Sequence, residues 1–304
     1  MTTPAPRRRR TLRTLVASAG AALSVLTLAT AAPADAAGTG VTRGARTLSA
    51  AADTVGATTG TTTTTTPVNL ATTPSGVRIP GSYGKWKRVF ADDFTSTLNS
   101  DNWSRYQGTP RGKENAEWRR ENTFVKDGKL VLRTQYENGT WYSGGTSNAR
   151  SGSMTYGKWL VRFRADAADG IGYVFLLYPQ GGGWPPEVDF AEDSGGDRQE
   201  FMATTHWSPQ NKQAHAWLKS DSTQWHTVGV TIEPGLIQYT IDGRVWATYT
   251  GEGVPNQPMW LGLQAHHSDC NPKYPGSCSN IASGATPVQS DIEVDWVARY
   301  TLAQ

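Results

Sequence analysis

The chain has 304 residues, and its 29 Lys+Arg against 26 Asp+Glu give a formal net charge of +3. That surplus sits at the front: residues 1–36 hold five arginines (Arg7 to Arg10, and Arg13) and one acid, Asp35, so the remainder counts 24 basic and 25 acidic residues. Overall charge therefore gives no grip on nucleic acid or anionic lipid, and partners of those two classes are excluded on that ground.

Residues 1–36 have the three-part layout of a secretory signal peptide: a basic start, an apolar stretch from Leu15 to Ala31, and Ala34-Asp35-Ala36 as the cleavage site. The apolar stretch is rich in Ala, Ser and Thr and falls short of a membrane span, so a secreted, extracellular protein with no membrane association after cleavage is expected. The sequence leaves open a general or a twin-arginine route. Residues 37–78 are Thr, Ala and Gly with an unbroken run Thr61 to Thr66, too poor in apolar surface to offset the entropy of ordering, and read as a disordered spacer. All 30 aromatic residues lie between Tyr83 and Tyr300, so residues 79–304 form the folded domain.

Within that domain the dominant pattern is alternation with period two. Asp127-Gly128, between Val125 and Leu130, predicts a hairpin. Trp159, Val161, Phe163 and Ala165 alternate with Lys158, Leu160, Arg162 and Arg164, which predicts a half-buried strand. The continuous apolar run Tyr173 to Tyr178 predicts a strand covered on both faces. Val228, Val230 and Ile232 alternate again, and Asp242-Gly243 marks a second hairpin. Near the end Ile292, Val294, Trp296, Ala298 and Tyr300 read as one apolar face. No stretch of ten residues has helical spacing, so an all-β sandwich of antiparallel strands is expected. Cys270 and Cys278, the only cysteines, are expected to pair as a disulfide around a short loop, since a metal site with His266 and His267 would need further closely spaced ligands.

The segment Trp184-Pro-Pro-Glu-Val-Asp-Phe-Ala-Glu192 carries the chemistry. Val188 and Phe190 mark a strand whose acids, Glu187, Asp189 and Glu192, take the opposite face, where mutual repulsion separates carboxyl pKa values into a base and an acid. Glu192 is five positions from Glu187 and in a regular strand would point the other way. One extra residue, a β-bulge around Phe190-Ala191, returns it to the shared face.

Glu-Val-Asp-Phe-Ala-Glu resembles the E-x-D-x-x-E signature of glycoside hydrolase family 16, the laminarinase and lichenase type of endo-β-glucanase. The resemblance extends over nearly the whole domain, through Phe90-Ala-Asp-Asp-Phe94, Trp103, Asn122, Tyr156-Gly-Lys-Trp159, Trp225-His226 and Asp295-Trp296. It implies a concanavalin A-like jelly roll with the acidic strand on the floor of a cleft, Glu187 as nucleophile, Glu192 as general acid/base and Asp189 as the residue that orients the nucleophile. The implied reaction is double displacement with retention on a polysaccharide, needing no cofactor. Relatives carry a structural calcium, for which this sequence shows no clear run of oxygen ligands.

Substrate contacts are expected from Trp184, beside the motif, from Trp118, among charged neighbours, and from His206, which follows the acidic strand after a turn and matches a cleft histidine of relatives. Arg150 resembles a family segment bordering the cleft. Family members commonly have Trp-Pro-x-x-Gly ahead of the first glutamate, whereas Trp184-Pro185-Pro186 leads directly into Glu187 here. Two other readings use the same scaffold: a lectin-like binding sandwich and a transglycosylase. A monomer is expected. Without leader and spacer the domain carries 21 basic and 24 acidic residues, which suits an uncharged polysaccharide.

Overall fold

Two sequence hairpins set the grain of the fold. In the computed structural model Asp127 and Gly128 have φ of 52° and 71°, and Asp242 and Gly243 have 46° and 81°. Two successive residues of positive φ match the right-handed twist of the strands they join. The structure describes residues 73–110, 116–268 and 287–303. The leader, most of the spacer, and Cys270 and Cys278 lie outside those residues.

The strands are, in order, β1 (Ser82–Tyr83), β2 (Trp86–Asp92), β3 (Ser104–Arg105), β4 (Ala116–Trp118), β5 (Thr123–Lys126), β6 (Lys129–Glu137), β7 (Thr140–Ser143), β8 (Gly145–Ser147) and β9 (Gly157–Ala165). They continue with β10 (Ile171–Pro179), β11 (Glu187–Asp193), β12 (Glu200–His206), β13 (Gln213–Lys219), β14 (His226–Glu233), β15 (Leu236–Ile241), β16 (Arg244–Tyr249), β17 (Met259–His267) and β18 (Gln289–Leu302). Helix among the described residues is confined to two short 3₁₀ turns, Arg120–Asn122 and Ala149–Ser151. One sheet has the order β16-β15-β14-β9-β18-β6-β7-β4, with β2 also on β18 and β5 on β6; the other has the order β13-β12-β11-β10-β17-β8-β3. Every pairing of these strands is antiparallel except β4 with β7. This is the expected antiparallel β-sandwich.

The core lies between the sheets. Trp159, Val161 and Phe163 of β9 face Phe175 and Leu177 of β10 and Phe190 of β11, all buried in one cluster. The ring of Phe163 packs edge-on against Tyr173 and Phe175 at centroid distances of 5.1 and 4.8 Å. The run Tyr173 to Tyr178 is buried on both faces, as its unbroken apolar character predicts: Tyr173, Phe175 and Leu177 enter the core, and Val174, Leu176 and Tyr178 form a second cluster on the far side with Trp184 and Trp260.

β18 departs from the simple alternation. Ile292 and Val294 face the core, but the register with β9 steps from Val294 opposite Phe163 to Trp296 opposite Arg162, leaving Asp295 as an extra residue. The bulge exchanges the faces. Val297 then points to the core, while Trp296, Ala298 and Tyr300 turn outward to a separate cluster with Trp86 and Leu160.

Residues 73–78, the end of the segment read as a spacer, bind this outer surface. Ser75 donates its backbone N–H to Asp295 Oδ2 at 3.1 Å and also bonds it through its hydroxyl. Arg162 Nε donates to the Ser75 hydroxyl at 3.1 Å, and Trp296 Nε1 donates to the Val77 carbonyl at 2.8 Å. Ser75 and the Val77 carbonyl supply partners for groups that the domain buries, a role that the composition of the segment does not announce.

Candidate active site

β11 lies inside its sheet, with β10 on one side and β12 on the other. Val188, Phe190 and Ala191 belong to the core cluster. Two neighbours in sequence, Phe190 and Ala191, thus enter the core together, which requires an irregularity. On β12, Asp189 opposes Thr204 and Glu192 opposes Met202, so three steps on β11 match two on its partner. On β10, Phe175 and Leu176 oppose Ala191 and Asp189, again one step against two. The β-bulge that the spacing requires is present, and it brings Glu187, Asp189 and Glu192 to the face away from the core.

These acids are deeply buried, with exposures of 2%, 2% and 5% for Glu187, Asp189 and Glu192. Their partners differ. Trp184 Nε1 donates to Glu187 Oε2 at 2.7 Å. His206, directly opposite Glu187 in register, places Nε2 3.2 Å from Asp189 Oδ2, and its Nδ1 is 2.6 Å from Asn211 Oδ1. Among the described residues Glu192 accepts a hydrogen bond from the Thr204 hydroxyl, at 3.3 Å. Among the described residues Glu187 Oε1 and Asp189 Oδ1 accept no hydrogen bond.

Burial, reinforced by the Asp189 charge, pushes the Glu187 carboxyl up to about 8, against the opposing pull of His206 and the Trp184 N–H. Burial also raises Asp189. Glu192 is raised by burial and then by the charges of Asp189 and Glu187, with His206 and the Thr204 hydroxyl opposing. Three buried carboxyls on one strand cannot all be charged at once. The Trp184 N–H and the His206 ring lie against Glu187 and Asp189, and a hydroxyl lies against Glu192. The result is three carboxyls in three different surroundings on one face of one strand.

A scan against protein-family models matches residues 111–297 to "Glycosyl hydrolases family 16", more than half of the chain and including all of β11. The chain belongs to glycosyl hydrolase family 16. Relatives of this family-16 chain include the glucan endo-1,3-beta-glucosidase of Cryptopygus antarcticus, 27% identical over 58% of this chain and 76% of that protein. The clotting factor G alpha subunit of Tachypleus tridentatus is 28% identical over 57% of this chain but only 28% of its own length, so the chain spans little more than a quarter of that protein. Among solved structures the endo-beta-1,3-glucanase of Pyrococcus furiosus superposes with a TM-score of 0.64 at 19% identity, covering 74% of this chain and 100% of that one. The laminarinase catalytic domain of Thermotoga petrophila RKU-1 gives 0.63 at 18% identity, covering 72% and 99%. The fold of the family-16 domain is that of these jelly rolls.

The other sequence-predicted residues of the family-16 domain divide. Trp184 and His206 join the acids, with ring centroids 6.0 Å apart. Trp118 does not present a face to solvent: it is 6% exposed on β4 and packs against Tyr106 at 4.8 Å. Arg150 sits in an exposed turn, where its Nη1 donates to the Ser100 carbonyl at 2.6 Å and makes no contact with the acids. Tyr106 is a candidate that the sequence reading does not name: its hydroxyl is raised by burial and then by the charge of Glu187. Tyr178 and Trp260 were missed too; their rings meet at 5.3 Å and cluster with Trp184. These residues come from β10, β17 and the loop after β3, and no local motif joins them. Among the described residues one group has the spacing of a metal site, Glu187, Asp189 and His206, whose ligand atoms lie within 4.8 Å of one another. Its Asp189 and His206 atoms already face each other.

Proposed function

We propose that this domain is a secreted, endo-acting β-glucanase that cleaves β-1,3 or mixed β-1,3-1,4 linkages with retention of configuration. The single observation that carries the reading is the bulge at Phe190-Ala191, which sets Glu187 and Glu192 on one face with Asp189 between them. A sandwich that merely held sugar would gain nothing from crowding three buried acids. The β-glucan substrate class rests on relatives named as β-glucanases from several organisms, including a beta-glucanase of Paenibacillus polymyxa. Export rests on the layout of residues 1–36.

In the first step Glu187 Oε1 attacks the anomeric carbon, the glycosidic C–O bond breaks, and the leaving oxygen takes the proton of Glu192. The Trp184 N–H holds the other oxygen of Glu187, fixing the carboxylate plane. Ester formation removes one negative charge from the cluster, so Glu192 becomes a stronger acid in the first step and remains as carboxylate. In the second step Glu192 takes a proton from water, the water oxygen bonds to the anomeric carbon, and Glu187 leaves as carboxylate. Across the first step the cluster's total charge is unchanged, because Glu192 gains the negative charge that Glu187 loses, and Asp189, held against His206, stands between the two on the strand.

The test is reducing-end release by the purified domain from a panel of laminarin, lichenan and galactans. Wild type is expected to cleave the β-glucans, and Glu187→Ala to lose ~10³-fold or more of kcat while keeping its circular dichroism spectrum. Activity on galactans alone, or full activity in the variant, contradicts the reading.

A further inference from the structure

Antiparallel registers carry a straight row of side chains across the second sheet. Val174 on β10 opposes Glu192 on β11, Glu192 opposes Met202 on β12, and Met202 opposes Trp217 on β13, the edge strand. Directly opposed residues share a face, so Trp217 stands on the face that bears the three acids. The other face of β13 confirms the assignment, because Leu218 packs against the core and opposes Phe201. Two interstrand spacings put the Trp217 backbone roughly 10 Å from that of Glu192.

Trp217 is 58% exposed, the most exposed tryptophan among the described residues, and it stacks on no ring among them. Core packing does not account for it: the inward positions of β13 are the small Ala214 and Ala216, with Leu218. A large flat apolar ring left in water, in line with the proton donor, has the form of a stacking platform. On the opposite flank of β11, Tyr178 and Trp260 supply aromatic surface, so rings border the acids from both sides.

We infer that Trp217 is a substrate-binding residue, its indole stacking on a pyranose ring of the glucan beyond the ring being cleaved. This deepens the proposed function and rests on it. The occupant is a sugar of the same chain that lies over β11, since the platform shares a register row with Glu192 and the C–H face of a β-linked pyranose is flat and apolar. A contact distant from the reacting bond acts only on chains long enough to reach it, so Trp217 sets a preference for length.

The experiment compares wild type, Trp217→Ala and Trp217→Phe on laminari-oligosaccharides, from the shortest that is cleaved upward, with sedimentation to record the state of assembly. In Trp217→Ala the ratio of kcat/KM on long to that on the shortest substrate is expected to fall about fivefold, and Trp217→Phe is expected to recover most of it. Parallel length profiles for wild type and Trp217→Ala, an equal loss at every length, or a phenylalanine variant no better than alanine overturns the inference. A change of oligomeric state in place of a length effect assigns the indole to a second copy of the chain and also overturns it. Wild type inert toward every β-glucan defeats the functional reading itself, a result distinct from the others because no variant is needed to see it.

Discussion

Glu187 and Glu192 carry the same chemical group on the same strand, yet a nitrogen donor faces one and a hydroxyl the other. That difference assigns their proposed roles. For Glu192→Gln, the loss of the proton donor should lower kcat on glucans by ~10²- to 10⁴-fold, and substrates with an acidic aryl leaving group should lose far less, because such groups leave without a proton. The pH dependence follows from the same pair. The proposed reaction needs Glu187 ionised and Glu192 protonated, so wild type should show an alkaline limb that the Gln variant lacks. Stability should move with it. These carboxyls hold protons more tightly in the folded chain than in the unfolded one, where glutamate titrates near ~4.3, so stability falls as pH rises from that range toward about 8. Thermal melts should show a shallower decline for Glu192→Gln; an unchanged slope would mean that Glu192 is not buried as a neutral acid.

At the scale of the element, β11 has to satisfy the core and the site with one backbone, and the bulge lets it do both. Deleting Ala191 removes the extra residue and turns Glu192 toward Phe175 and Phe201, so the deletion variant should lose activity entirely and melt well below wild type. A regular strand that remained active would contradict the geometry. The end of β11 is pinned by Asp193, whose carboxylate meets Arg198 Nη1 at 3.0 Å, while Arg198 also donates to the carbonyls of Asp166 and Ile171. Arg198→Ala leaves a buried acid unpaired, and a loss of about 3–5 kcal/mol is expected in denaturant titration. The bulge in β11 is legible in the sequence because two glutamates five apart had to share a face. The bulge at Asp295 in β18 is not, since Ile292, Val294, Trp296, Ala298 and Tyr300 alternate without a break, and only the pairing with β9 shows the face changing after Val294. Trp217 escapes notice for a related reason: the outward positions beside it on β13, His215 and Lys219, form no motif with it, and its meaning comes from what lies two strands away.

At the scale of the whole molecule, the catalytic face is built on strands and its rigidity comes from the sandwich behind it. Phe190 packs toward Phe175 at 6.3 Å, and Phe175 toward Phe163 of the facing sheet at 4.8 Å, so the strand that bears the acids is seated on aromatic contacts linking both layers. Sheet class, hairpins and the doubly buried strand follow from local periodicity. The partners of the acids follow from registers between strands far apart in sequence, which is why Trp184 and His206, close to the motif, could be named while Tyr106 and Trp260 could not. Trp118, named on its charged neighbours, is buried and packs its ring against Tyr106. In the proposed reaction two carboxyls on a single bulged strand displace and then release the sugar. Proton NMR of the earliest products of laminarin hydrolysis tests it most directly: the β-anomer should appear first and the α-anomer only by later mutarotation, whereas an α-anomer formed first would contradict the double displacement.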